Sequence, residues 1–204
     1  DKIKNYNLVY FPLHLEPEVS LQRFTPEFSN SMEAIIWISK SLPVNYRIVV
    51  REHPLSYGVR SRWYYNQLIK IPNVELAHPD IDSWEWIKKS KFVVAFTGTV
   101  GQEAVQHKKP ILSYGKHQII NHLPTVHYVN NYDTTKSAIS KIVSNEYNED
   151  DFLKSKQNLS FAQIKSSIEM PEYVYIAKSS KLETDLAERA LNHLYSEYPY
   201  LKDK

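Results

Sequence analysis

An α/β domain built on a doubly wound parallel sheet is the fold class this sequence predicts, and three observations predict it. Short continuous apolar runs rich in Val and Ile recur over residues 1–145, without the polar alternation of a sheet with one face in water. Stretches of helical period separate those runs through short connections, as right-handed β-α-β units require. The chain holds only four glycines, Gly58, Gly98, Gly101 and Gly115, and each follows one of the runs. So sparing a use reserves Gly for positive φ or for close approach of backbone to a ligand, and such sheets bind ligands beyond the carboxyl ends of their strands. All four are therefore expected on one rim; the alternative is that they are ordinary turn glycines.

The elements follow in order. Asn7 to Phe11 reads as the first strand, stopped by Pro12. After a loop with Pro17 and Pro26, a helix is expected from Glu27 to Ser41, where Phe28, Met32, Ile35, Ile36 and Ser39 keep helical spacing before Leu42-Pro43 ends it. Arg47–Arg51 is the second strand and Arg62–Lys70 the next helix, with Trp63, Tyr64, Leu68 and Ile69 as its apolar side. Val74–Ala77 is a short third strand. Asp82 or Ser83 caps a helix over Trp84–Lys89 by accepting its free amide hydrogens. Phe92–Phe96 is the fourth strand, a helix begins near Thr99, and Pro110–Tyr114 is the fifth strand. Val126–Val129 and a helix over Thr134–Ser144 complete the pattern. Residues 146–204 lack strand runs of that strength, apart from the ambiguous Tyr173–Ile176. A stripe of Leu182, Leu186, Ala190, Leu191, Leu194 and Tyr198 marks them as helices packed on the sheet domain, not as a separate domain.

Composition removes several classes of function. The 204 residues contain no Cys, which excludes a disulfide scaffold, a Cys-ligated metal and a thiol nucleophile. A net charge of +2, from 25 basic and 23 acidic residues, is too balanced for a nucleic-acid partner. The longest apolar runs, Phe92–Phe96 and Ala34–Ile38, are about a quarter of a membrane span, and no secretory leader or transmembrane segment is expected. The eight His are scattered, with His117, His122 and His127 spaced by five, so no bound metal or cofactor is expected.

Four constellations sit just beyond predicted strands. His14, Glu16 and Glu18 follow the first; they are either surface loop residues or general acid/base groups. Arg51-Glu52-His53-Pro54 follows the second, and Pro54 biases His53 toward an extended backbone. There His53 and Arg51 can donate to a phosphate or a ribose oxygen, and Arg60, beyond Gly58, adds a second guanidinium suited to an anion. Thr97-Gly98-Thr99-Val100-Gly101-Gln102-Glu103 joins the fourth strand to its helix, a cradle of hydroxyls and free amides for an anion. Its spacing is neither that of a Walker loop nor Gly-x-Gly-x-x-Gly, which disfavours ATPase and NAD chemistry. Glu103 can accept from a ribose diol or simply complement the helix dipole. Lys109–Gly115 alone is a generic strand and turn.

Taken together, YFPLHLEPE, VREHP with YGVRSRWYY, IPNVEL and TGTVGQEAVQHKKPILSYG, over roughly residues 7–130, resemble the bacterial capsule polysaccharide biosynthesis family, which includes the Kdo transferases of capsule assembly. The resemblance implies a glycosyltransferase of the two-domain GT-B type, and this chain as its Rossmann-like donor half. It implies a CMP-sugar contact at His53 and Pro54, donor phosphate contacts at Thr97, Gly98, Thr99 and Gly101, and a ribose or sugar contact at Glu103. A GT-B enzyme needs two such halves, and this length accommodates one. The chain is thus expected to be an excised domain or a one-domain relative that works with a second GT-B domain or partner chain.

The resulting expectation is the donor-binding half of a glycosyltransferase in capsule or surface polysaccharide synthesis. Its partners would be a nucleotide sugar, CMP-linked, and a glycan or glycolipid acceptor. His14, Glu16 and His53 are the catalytic candidates, and Arg51, His53, Pro54, Arg60, Thr97, Gly98, Thr99, Gly101 and Glu103 the donor-binding ones. The expected location is cytoplasmic, with peripheral association at the inner membrane open. Two rivals stand beside it. One is a glycerophosphotransferase or UDP-sugar epimerase on the same fold. The other is a non-catalytic nucleotide-binding or partner domain, for which Trp84, Trp86, Tyr195, Tyr198 and Tyr200 offer a docking face, or else ordinary core and cover.

Overall fold

A computed structural model of the chain describes residues 3–15, 31–78 and 80–166, together with 188, 191, 192, 195 and 196. The chain divides into two units, 1–160 and 161–204, and the sheet belongs to the first. The elements are β1 (Asn7–Pro12), α1 (Ser31–Ser41), β2 (Tyr46–Arg51), α2 (Arg62–Leu68), β3 (Val74–Leu76), α3 (Ser83–Lys89), β4 (Ser90–Ala95), α4 (Val100–Gln106), β5 (Ile111–Ser113), β6 (Val126–Tyr128), α5 (Tyr132–Val143) and α6 (Glu149–Ser166). Short 3-10 turns at Pro54–Ser56 and Ile119–His122 join them. All six strands are parallel, in the order β3-β2-β1-β4-β5-β6.

Strand alternation sorts the core into two layers. Val9, Phe11, Ile48, Val50, Phe92 and Val94 face a layer closed by Ile35 and Ile38 of α1, Tyr64 and Leu68 of α2, and Ile139 of α5. Leu8, Tyr10, Val49, Val93 and Ala95 face the other, closed by Ile87 of α3, Ala104 and Val105 of α4, and Leu159 of α6. Both faces are covered, which is why the strands read as unbroken apolar runs. The predicted doubly wound sheet is therefore the observed one.

Boundaries differ by local chemistry. Strand β4 starts at Ser90, two residues before its apolar run, because Leu8 of β1 pairs with Ser90 across an irregular register. Helix α5 starts at Tyr132 because Asn131 and Thr134 form a reciprocal capping box. Neither 3-10 turn was expected. Residues 27–30 of the first helix and most of 167–204, including Tyr173–Ile176, Tyr198 and Tyr200, lie outside the described residues. Of the two tryptophans of α3, Trp86 is buried in the second layer and Trp84 is 45% exposed. Among the described residues no helix is long and apolar enough to cross a membrane.

The glycines separate into two kinds. Gly58 and Gly98 adopt positive φ, of 77° and 79°. Gly101 and Gly115 are held by packing: a Cβ on Gly101 would lie 2.3 Å from Ile120 Cδ1, and one on Gly115 only 1.9 Å from the Phe96 carbonyl oxygen. Gly115→Ala must push two backbone segments apart and is expected to destabilise the unit by about 1–3 kcal/mol or more, read from urea midpoints. A second expectation concerns acid. Burial, then the Lys141 charge, holds the His127 imidazole below its ordinary range, against the opposite pull of Glu146, and its ring meets the Tyr147 hydroxyl. The unfolded chain takes up this proton at higher pH than the folded one. The stability contributed by neutral His127 is thus full above the unfolded value and lost as pH falls through the folded one. The urea midpoint is expected to fall as pH drops below about 6.5, the ordinary imidazole value, and less steeply in His127→Asn.

Candidate functional site

Strand order reverses between β1 and β4, where the connection from β1 runs to one side of the sheet and that from β4 to the other. At such a seam the following loops diverge and leave a crevice beyond the strand ends. Here that crevice is an open cleft with two adjoining lobes. The inner lobe, about 300 Å³, is lined by Pro12, Leu13 and His14 after β1, His53 after β2, and Thr97, Gly98, Thr99 and Val100 after β4. The outer lobe, about 350 Å³, shares Pro12, Leu13, His53, Thr99 and Val100 and adds Tyr10, Arg51, Glu52, Pro54, Asp82, Ser83, Trp84 and Glu103.

The wall after β2 is organised by Glu52. Its carboxylate is buried and accepts hydrogen bonds from Arg60 Nε at 2.7 Å and Nη2 at 3.5 Å, the Tyr65 hydroxyl at 2.6 Å and the His53 backbone N–H at 2.7 Å. Burial, then the Glu52 carboxylate, pushes the Tyr65 phenol up to about 12, so it remains a donor. Arg60 Nη2 also donates to the His14 carbonyl oxygen at 2.8 Å, and its guanidinium lies over the Tyr64 ring, 4.8 Å from the centroid. His53 Nδ1 accepts the Leu55 amide hydrogen at 3.2 Å, which caps the 3-10 turn. The proton of the neutral ring therefore sits on Nε2, available as a donor at the cleft. Arg51 Nε donates to the Ile81 carbonyl at 3.2 Å.

On the β4 side, the positive φ of Gly98 turns the chain from the strand toward α4. Thr99 makes no side-chain cap; its hydroxyl donates to Glu103 Oε1 at 2.8 Å. Thr97 is 3% exposed, and its Oγ1 is buried without a hydrogen-bond partner among the described residues. In the outer lobe the Tyr10 hydroxyl and Ser83 Oγ lie 2.9 Å apart. Burial raises the Tyr10 pKa, while the Ser83 hydrogen bond and the Arg51 charge pull it back. Trp84 stands edge-on to His107, ring centroids 4.8 Å apart. Burial and the Lys88 and Lys109 charges lower the His107 pKa.

The structure thus gathers His14, Arg51, His53, Pro54, Thr97, Gly98, Thr99 and Glu103 around one cleft. Gly101 lines neither lobe. Nor does Arg60, whose guanidinium is committed to Glu52 and the His14 carbonyl. Glu16 and Glu18 lie outside the described residues. Tyr10, Asp82, Ser83 and Trp84 were not singled out for the site; the cap signal of Asp82-Ser83 was the only hint that this helix start reaches the rim. Among the described residues no cluster of three His, Asp or Glu side chains could hold a metal ion.

Against known proteins, the family model described as capsule polysaccharide biosynthesis protein matches residues 4–119, more than half of the chain. No curated protein matches the sequence. Among solved structures, the chain is similar to the UDP-GlcNAc 2-epimerase from Methanocaldococcus jannaschii, with TM-score 0.55, 16% identity, and coverage of 78% of this chain and 45% of that one. It is similar to S. aureus MnaA in its UDP co-structure, with TM-score 0.51, 16% identity and coverage of 77% and 40%. The spinosyn rhamnosyltransferase SpnG complexed with thymidine diphosphate aligns with TM-score 0.53, 8% identity and coverage of 79% and 45%. At such identities the likeness establishes the fold, a Rossmann-like half of the GT-B type. The chain spans less than half the length of each of these structures.

The buried Thr97 hydroxyl gives a test that separates stability from binding. An unsatisfied buried hydroxyl costs on the order of 1–3 kcal/mol. Thr97→Val is expected to raise the unfolding free energy of the ligand-free unit by about 1 kcal/mol while weakening any ligand that recruits this hydroxyl. Urea unfolding and calorimetric titration on the same variant check both signs.

Proposed function

Since this chain belongs to the capsule polysaccharide biosynthesis family, we propose that its sheet unit binds a nucleotide sugar and serves as the donor half of a glycosyltransferase. The observation that carries the reading is the meeting of Arg51 and His53, from the end of β2, with Thr97, from the end of β4, on one cleft at the β1–β4 seam. Fixed donors at a strand-end crevice suit a phosphate. The His53-Pro54 pair favours a CMP-linked sugar, through the family resemblance that these two residues carry.

In the proposed reaction the bond between the anomeric carbon and the phosphate oxygen breaks, and its electron pair leaves with the nucleoside monophosphate. The acceptor oxygen forms the new bond to that carbon and loses its proton to a base. Charge develops on the departing phosphate, where the Arg51 guanidinium, His53 Nε2–H and the Thr97 hydroxyl stabilise it. Donors held in place before charge develops contribute about 3–4 kcal/mol each in well-studied sites. Glu103, with one carboxylate oxygen held by Thr99, is assigned to the ribose. On the β1 wall, His14 is assigned to the acceptor proton.

Calorimetric titration with CMP, UMP, CDP and UDP tests the reading. Selective CMP binding is expected, weakened at least tenfold, or about 1.4 kcal/mol, in His53→Ala. Equal or tighter binding of UDP moves the assignment to the epimerase class. If none of the four binds the folded chain, the donor-half assignment of this unit is wrong.

A further inference from the structure

By residue type Arg60 suits a ligand anion, yet its contacts point elsewhere. One guanidinium ties three segments together. Its Nε meets Glu52 Oε2 at 2.7 Å, in a pair whose side chains are 9% and 7% exposed. Its Nη2 holds the His14 carbonyl at 2.8 Å, and its plane lies over Tyr64 of α2. Glu52 in turn holds the His53 backbone N–H at 2.7 Å and the Tyr65 hydroxyl at 2.6 Å. His14 and His53 both line the inner lobe, one after β1 and one after β2.

We infer that Arg60 is a positioning residue that fixes the separation of the His14 and His53 walls of the cleft, and does not itself contact the ligand anion. The physical basis is the fork of the guanidinium. Two of its nitrogens bond in different directions at once, to a carboxylate on one wall and to a carbonyl on the other, and a single ammonium has no second nitrogen with which to do so. Because Glu52 also anchors the His53 amide, a shift of Arg60 moves the start of the 3-10 turn that His53 caps. The consequence for ligand binding rests on the donor-half reading above; the consequence for the two histidines does not.

The test uses Arg60→Lys, which keeps the charge beside Glu52 but loses the fork, and Tyr65→Phe, which removes one hydrogen bond from Glu52 and no charge. Histidine-ring nitrogen spectra of the ligand-free chain, assigned with His14→Gln and His53→Gln, report the wall geometry directly. Titration with CMP and with cytidine reports the ligand side. In the wild type His53 is expected in the Nε2–H form, bonded through Nδ1 to Leu55. In Arg60→Lys its ring signals are expected to move toward the tautomer average and those of His14 to shift. Affinity for CMP and for cytidine is expected to fall by a similar factor, about tenfold. Tyr65→Phe is expected to move the same signals less.

Two results would overturn the inference. The first is histidine signals unchanged in Arg60→Lys, whether or not affinity falls. The second is a loss confined to CMP with cytidine spared, which makes Arg60 a phosphate contact. Should the wild type bind neither ligand, the donor-half reading fails, and the ring spectra alone still decide whether Arg60 sets the walls.

Discussion

A parallel sheet joined by right-handed crossovers has one seam at which successive connections leave toward opposite sides, and here it lies between β1 and β4. The rest of the molecule is arranged around that seam. Helices α1 and α2 cover one face because β1 leads outward to β2 and β3; α3 and α4 cover the other because β4 leads outward to β5 and β6. With both faces closed by helices, the strand ends are the part of the sheet where loops can diverge. Polar groups can stand there without the desolvation cost of the interior. It is at these strand ends that His14, His53 and Thr97, far apart in sequence, share the inner lobe.

Holding such a rim in shape is an electrostatic problem, and Glu52 shows how it is solved. A carboxylate that is 8% exposed cannot remain there alone; removing one partner from a buried ion pair costs on the order of 3–5 kcal/mol. Three donors surround it, from Arg60, Tyr65 and the His53 backbone. The same bonds that satisfy the charge stiffen the loop after β2 and fasten it to the chain after β1. Arg51, one residue earlier, bonds through Nε to a backbone carbonyl and lines the outer lobe beside Tyr10. Adjacent charged residues thus divide two tasks, Glu52 inward for the loop and Arg51 at the cleft.

This division marks the limit of what the sequence makes legible. Strands β1, β2 and β4 read correctly because a covered sheet demands continuous apolar runs, a signal local to each segment. The placement of His14, Arg51, His53 and Thr97–Thr99 at one rim was legible for a related reason, since each follows such a run directly, and all of them line the cleft. Arg60 does not follow one. Its residue type suits an anion equally whether that anion is a ligand or Glu52 eight positions earlier, and only the fold of the intervening turn decides. Gly101 and Gly115 were legible as constrained positions but not as to the constraint, because Ile120 and the Phe96 carbonyl reach them across the fold. Ser83 and Trp84 reach the outer lobe, beside Tyr10 of β1, through the crossover from β3 to β4, a long-range placement with no local signature. The 3-10 turn at Pro54–Ser56 depends on the His53 ring as its cap, a role that competes in sequence with that of a ligand contact.

That last competition resolves into cooperation. A histidine whose Nδ1 is occupied by a backbone N–H has its tautomer and ring orientation set by the turn it caps, and its remaining nitrogen is then a donor of known identity. The sequence His-Pro places such a ring at the start of a turn with a fixed φ in the next residue, so the capping bond and the Nε2–H tautomer arise from the same two residues. On the reading proposed above, the donors of this unit all serve the departing phosphate, and His14 is the one described side chain assigned to the acceptor's proton. Stabilising a leaving anion requires donors that do not reorganise as charge develops, and backbone-anchored groups on strand ends meet that requirement best. On that reading a rigid row of strand ends suits the donor side of a glycosyl transfer, and the stiffness supplied by Glu52 and Arg60 would serve that chemistry as well as the fold.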